Sequence, residues 1–248
     1  MAEIAGTLKE RQAVKNALPF GMWGESEYYS ELVGKKVIIV GPAFYLRGAG
    51  LGEYIDSFDV VVRVNHALPV KYPEDYGSKT TVLYHILSHR NHVGAGKLTV
   101  TEDEVKSWDT DWVVSRWASR SGRIKQVGPY LEGRKWTAMS HEFLYKVRRG
   151  VGRLSPNTGI SAIAHLLQSD LKELKVVGFD LYRSGVYEGY GDVREKENAL
   201  EVNDRWHDTD AQLKYLAVLK RRDDRLHFDA VLQGIINESI SRSSNKVR

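Results

Sequence analysis

Residues 37–67, VIIVGPAFYLRGAGLGEYIDSFDVVVRVNHA, constrain the fold more than any other part of the 248-residue chain. The apolar run 37–40 reads as a strand buried on both faces. Gly41 ends it, and Gly48, Gly50 and Gly52 follow closely. Glycine permits positive φ and lets a ligand approach the backbone. A helix expected near Leu51 would present N–H groups that suit a phosphate. A second apolar run, 60–64, leads into Arg63, Asn65 and His66. Strand, turn, helix and strand form a unit of an open parallel sheet, whose ligands sit outside the carboxyl ends of the strands. Residues 41–52 and 63–66 are therefore expected to line one nucleotide-sized crevice. The spacing is neither G-x-G-x-x-G nor G-x-x-x-x-G-K-[ST], and a turn that only packs a helix on a strand is the alternative.

Strand and helix patterns alternate through the rest of the chain. Residues 81–87 read as a third strand, with Ser88, His89, Arg90, Asn91 and His92 forming a polar cluster at its end. Residues 101–107 begin with a capping box, Thr101 and Glu104, and 111–117 read as a strand ending in Ser115 and Arg116. The segment SPNTG, 155–159, opens an apolar helix over 160–168. Ser155 or Asn157 can cap this helix, with Pro156 near its first turn. That gives a second helix start suited to an anion. His165 lies inside this helix and reads as a satisfied core residue. Residues 174–179 read as a buried strand. His207, Asp208, Thr209 and Asp210 open a helix with Leu213, Leu216, Ala217 and Lys220 on one face, and 227–240 read as a closing amphipathic helix. The expected organisation is an N-terminal helical extension, 1–34, and a single domain, 35–248, with flexible insertions near 119–150 and 183–206. The expected fold class is α/β, a Rossmann-like parallel sheet flanked by helices.

Composition narrows the function classes. A net charge of +4 suits anionic ligands without requiring nucleic acid. The chain has no cysteine, which excludes a disulfide scaffold and thiolate metal sites and fits a reducing compartment. No apolar run is long enough to cross a membrane, and 1–20 lacks a signal-peptide core.

The ordered text of 37–81 resembles the large sialyl motif of the animal-type sialyltransferases, glycosyltransferase family 29. The match runs through Leu46, Arg47, Gly48, Gly50, Gly52, Ile55, Asp56, Ser57, Arg63 and Asn65, and then Gly77, Ser78, Lys79, Thr80 and Thr81. Pro156, Thr158, Gly159, Gly178 and Phe179 resemble the small motif, with Asn157 at its Ser/Thr place. Tyr187, Glu188 and Tyr190 are nearest to a short aromatic motif that lies near the donor phosphate. His207 fits the last motif, a histidine followed within five residues by an acid at a helix start. Here Asp208 and Asp210 are both present, and Gln212 stands where Glu is usual.

The resemblance implies a GT-A-like variant of the fold and an inverting glycosyltransferase. The donor would be a CMP-sugar carrying sialic acid or a related ulosonic acid such as Kdo, and the acceptor a glycan hydroxyl. No cofactor and no metal are implied. His207 is expected as general base, with Asp208 and Asp210 orienting it. Gly41, Pro42, Ala43, Arg47, Gly48, Asn65, Ser88, Ser155, Asn157, Thr158, Gly159, Asp180, Tyr187 and Tyr190 are expected to bind substrate. Pro42 and Ala43 replace the family's Asn-Ser, which removes a side-chain donor to the nucleotide. Arg47 and Arg63 are expected chiefly to hold the loop by ion pairing. Two D-x-D strings, Asp109 with Asp111 and Asp208 with Asp210, could hold a cation in a diphosphate-sugar enzyme. However, Asp111 opens a strand and the second pair belongs to the histidine motif.

Animal members have a Golgi anchor helix and a disulfide between the large and small motifs. Val37 and Leu171 fill the two cysteine positions here. A cytoplasmic bacterial or viral version without stable membrane insertion is therefore expected. Two other readings stay open. One is a glycosyltransferase with another nucleotide-sugar and a nucleic-acid acceptor such as a modified base, which the basic 119–150 stretch permits. The other is a nucleotide-binding module without catalysis.

Overall fold

The computed structural model describes residues 19–87, 100–116, 122–152, 154–190 and 207–245. Seven parallel strands form one sheet: β1 (Lys36–Val40), β2 (Val60–Val64), β3 (Val82–His85), β4 (Trp112–Ser115), β5 (Lys135–Ala138), β6 (Glu173–Val177) and β7 (Leu226–Phe228), in the order β5-β4-β3-β2-β1-β6-β7. Side chains alternate between the two faces. Ile39, Val62, Tyr84 and Val114 face one core; Ile38, Val40 and Val61, and farther along Leu83, Val113 and Trp136, face the other.

The helices cover both faces, as an all-parallel sheet requires. The first face carries α1 (Glu25–Glu31), α7 (Thr158–Leu166), α8 (Thr209–Arg222) and α9 (Ala230–Asn245). The second carries α2 (Gly52–Asp56), α3 (Pro73–Tyr76), α4 (Glu102–Lys106) and α5 (Gly122–Leu131). A further helix, α6 (His141–Val151), packs against α8. The caps follow the sequence: Thr101 accepts from Glu104 N–H at 3.2 Å, and Asn157, rather than Ser155, accepts from Ile160 N–H at 2.8 Å.

Three expectations need correction. The 119–150 stretch, expected to be a flexible insertion, contains α5, the edge strand β5 and most of α6. Trp136, Thr137 and Ala138 of β5 are all buried, so the basic run carries a strand that belongs to the core. The closing segment begins with strand β7, not with a helix. Three residues are too few for periodicity to reveal a strand, and pairing with β6 defines it. The described part of the 1–34 extension belongs to the domain. Trp23 N–H donates to the Trp136 carbonyl at 2.8 Å, and Tyr28 is fully buried in the core.

Tyr28 opens a buried chain of hydrogen bonds. Its hydroxyl meets that of Tyr84 at 3.0 Å, Tyr84 Oη meets His165 Nδ1 at 2.9 Å, and His165 Nε2 meets Glu25 Oε1 at 2.8 Å. The carboxylate accepts from Nε2–H, and in the neutral ring that burial favours Nδ1 accepts from Tyr84. Burial holds the His165 pKa below its ordinary value, and the unfolded chain therefore binds a proton that the folded chain refuses. Stability should be full above pH ~6.5 and fall as pH drops below that value. Glu25, also held below its ordinary range despite burial through its bonds to His165 and Ser140, adds a further fall at lower pH. Urea midpoints measured from pH 8 to pH 5 should show the decline. His165→Gln, though less stable throughout, should be flatter over the upper part of that range; an equal decline in both proteins would refute the assignment.

Candidate functional site

The large motif is first of all a knot of internal bonds. Gly48 and Gly50 have φ of +77° and +62°, and their N–H groups donate to the Asp75 carboxylate at 2.8 and 3.0 Å. Arg47 pairs with Asp75 at 2.5 Å and lies 3.6 Å from the centroid of the Tyr72 ring. The glycine turn therefore forms an anion nest, and α3 of the same chain supplies its anion. Hydrogen bonds from Gly48, Gly50 and Arg47 hold the Asp75 carboxyl below the usual range. Arg47, expected to hold the loop by ion pairing, does so through Asp75, and both it and Gly48, expected to bind substrate, have these partners within the chain. The five-residue α2 begins beyond the nest, where Gly52 lies so close to the Pro73 carbonyl that a Cβ would come within 2.2 Å of it.

The second half of the motif is tied in the same way. Arg63, 2% exposed, donates to Thr80 Oγ1 and to the carbonyls of Tyr76, Gly77 and Lys79 at 2.9–3.0 Å. It bonds to carbonyls rather than forming the expected ion pair. Asp56 accepts from Ser78 N–H, Ser78 Oγ and Lys79 N–H at 2.7–2.9 Å. This leaves Asn65 at the carboxyl end of β2, with φ +49° and its side-chain carbonyl accepting from Ile86 N–H at 3.2 Å. Tyr190 also reaches this end, donating to the Val64 carbonyl at 3.1 Å.

Strand order reverses at β1, which lies between β2 and β6. Open α/β sheets take their ligands at such a switch point. The two strand ends approach closely there. A Cβ on Gly41 would lie 2.2 Å from the Gly178 carbonyl, and one on Gly159 would lie 2.2 Å from the Phe179 ring. Gly41, Gly159, Gly178 and Phe179 thus join the large and small motifs by packing. Pro42 and Ala43 are bound through their backbones: the Pro42 carbonyl accepts from Tyr187 N–H at 3.0 Å, and Ala43 N–H donates to Gly178 at 3.1 Å. The Tyr187 ring packs on Tyr76 at 4.7 Å between centroids. Asp180, expected to contact substrate, accepts from Ser184 N–H at 2.6 Å and holds the turn that follows β6. Sequence reasoning missed Tyr45 and Asp229. Tyr45 donates to Asp229 and accepts from Gly178 N–H at 2.8 Å. No motif marks this pair; 184 residues separate its members.

The second cluster forms where α7 and α8 begin. His207 Nδ1 lies 2.7 Å from the Ser155 carbonyl. A carbonyl only accepts, so Nδ1 carries the proton and the neutral ring keeps its lone pair on Nε2. Asp208 does not orient the ring as expected; it caps α8 by accepting from Ala211 N–H at 2.9 Å. Gln212, fully buried, accepts from Asn157 N–H at 2.8 Å. That bond needs only an acceptor oxygen, so Gln serves where an acid was expected. Arg116, from the end of β4, donates to the Pro156 carbonyl at 2.5 Å. Burial holds the His207 pKa below its ordinary value, the Arg116 charge lowers it further, and the Ser155 carbonyl opposes both. Sequence reasoning placed Arg116 at a strand end but did not assign it to the site. Its position at the carboxyl edge of a parallel strand was the available signal.

Thr158 and Gly159 form the first turn of α7. Asp109 and Asp111 precede β4 at the opposite edge of the sheet, away from His207. Ser88 lies outside the described residues, as do 191–206. His66, His85 and Glu104 bring one possible ligand atom each within 4.8 Å of the others. His85 Nδ1 accepts from Leu87 N–H at 2.8 Å. Its Nε2 therefore carries the proton, and this donor set does not suit a cation.

Residues 12–115 match the model of glycosyltransferase family 29 (sialyltransferase). The mouse protein CMP-N-acetylneuraminate-beta-galactosamide-alpha-2,3-sialyltransferase 4 is 32% identical over 77 residues, which are 31% of this chain and 23% of that protein. The match thus spans under a quarter of this curated relative. A mammalian sialyltransferase crystal structure superposes with a TM-score of 0.57 at 19% identity, covering 92% of this chain and 80% of the other. The sialyltransferase CstII from Campylobacter jejuni, in complex with the substrate analogue CMP-3FNeuAc, gives 0.52 at 15% identity, covering 81% and 85%. Residues 12–115 are thus similar to glycosyltransferase family 29, the sialyltransferases, and the chain shares the fold of two solved sialyltransferases over most of its length.

Proposed function

We propose that this protein is an inverting glycosyltransferase that moves a sialic acid or related ulosonic acid from a CMP-sugar to a glycan hydroxyl. The observation that carries this reading is the bond from His207 Nδ1 to the Ser155 carbonyl at the mouth of α7. In the neutral imidazole this bond leaves the lone pair on Nε2. In the proposed step the acceptor hydroxyl oxygen attacks the anomeric carbon while its proton passes to Nε2. The bond to the phosphate oxygen breaks, and CMP leaves with the electron pair. On this reading the backbone N–H groups of Thr158 and Gly159, at the start of α7, meet the developing phosphate charge. The Asn65 amide NH2 is a candidate donor to the nucleotide, since its carbonyl is committed to Ile86. The solved neighbour bound to CMP-3FNeuAc supports the donor class.

Metal-independent chemistry is part of the proposal. In a thermal-shift panel of CMP, CDP, UMP, UDP and GDP, CMP should raise the melting temperature selectively. Magnesium or EDTA should leave that rise unchanged. A preference for a diphosphate, or a magnesium requirement, would overturn the donor assignment.

A further inference from the structure

Building on the reading of His207 as base, we propose that Arg116 is a positioning residue of the same site. It pins the carbonyl next to the one that holds the His207 ring and sets a permanent positive charge beside the imidazole. Three side chains hold three consecutive residues. His207 donates to the Ser155 carbonyl at 2.7 Å, Arg116 to the Pro156 carbonyl at 2.5 Å, and Gln212 accepts from Asn157 N–H at 2.8 Å. The segment they grip lies outside regular structure, before α7. Its first two carbonyls belong to adjacent peptide planes that meet at Pro156, whose ring fixes φ. With φ fixed, only the ψ rotation of Pro156 separates the two planes, so holding the second restricts the first and with it the acceptor that orients the imidazole.

The charge acts through the same placement. Burial lowers the Arg116 pKa to about 10, so the guanidinium stays cationic at neutral pH. Withdrawn from water, it is weakly screened and disfavours a second positive charge on His207. α8 begins with Asp208 at its cap and Asp210 in its first turn, and the last turn of α6, which packs against α8, carries Arg148 and Arg149. Asp208 is committed to the helix cap. Arg116 is the side chain whose charge acts on the imidazole.

The test compares Arg116→Gln and Arg116→Lys with the parent in the full chain. One readout is the NMR titration of the His207 imidazole, assigned by comparison with His207→Ala. The other is the acid limb of kcat/KM for transfer from CMP-sialic acid. Arg116→Gln should raise the His207 pKa and lower transfer more at pH 6 than at pH 8. Arg116→Lys keeps the charge and should keep the titration while lowering kcat through the lost planar contact. An unmoved His207 titration in Arg116→Gln would overturn the proposal, as would equal losses at every pH. If His207→Ala transfers at the parent rate while Arg116→Gln still moves the titration, the base assignment fails and the Arg116 linkage stands.

Discussion

Replacing His207 by alanine should lower transfer from CMP-sialic acid roughly 10²- to 10⁴-fold, the usual contribution of a positioned general base. The CMP-induced thermal shift should persist, because the residues proposed to meet the nucleotide lie on the β2 end and the α7 mouth. His207→Gln should be nearly as slow as alanine while retaining a donor for the Ser155 carbonyl, which separates proton transfer from loop support. On the proposed mechanism the active form is the neutral imidazole. Burial and the Arg116 charge lower its pKa, so activity should hold at neutral pH and decline on acidification only below the ordinary histidine range. Transfer by His207→Ala within tenfold of the parent would remove the residue from the chemistry. If the parent bound CMP but transferred to no glycan acceptor, a binding module would be the better description.

The largest effect on stability should come from Arg63. Its guanidinium satisfies three backbone carbonyls and one hydroxyl within a 2%-exposed site. Arg63→Met fills similar volume but leaves those acceptors without their donor. Each buried acceptor left unmet costs ~1–3 kcal/mol, and partial relaxation should bring the total to about 4 kcal/mol. For a chain of this size that lowers the melting temperature by roughly 10 °C. The urea midpoint should fall with the slope of the transition unchanged. Arg63→Lys should recover only part of the loss, because one ammonium cannot span the same fork. A loss below ~1 kcal/mol for Arg63→Met would mean that the 76–80 loop stands without this clasp.

The sheet was legible because its strands announce themselves. The apolar runs at 37–40 and 60–64 are bounded by glycine and polar residues, and they became β1 and β2 with little change. The caps at Thr101 and Asn157 were legible for the same reason, since a capping bond spans three residues. β5 and β7 were not. Each is an edge strand of three or four residues and gains its identity by pairing with β4 or β6. The candidate site divides along the same line. His207 and the SPNTG segment stand out as text, but the partner of His207 does not. Asp208 is adjacent in sequence yet commits to a helix cap, while the Ser155 carbonyl, 52 residues away, takes the ring.

The sequence alone determined an α/β chain with a parallel sheet, its first crossover and the order of its motifs, because buried periodicity and turn chemistry are local. Tertiary structure decided what those motifs do. The glycine turn looked built for a phosphate, and its N–H groups hold Asp75. Arg116 looked like the end of a strand, and it bonds the carbonyl next to the one that holds His207. In both cases the deciding partner is distant in sequence. A hydrogen-bonding group takes whichever partner the packed chain brings within about 3 Å, and only the fold fixes that choice.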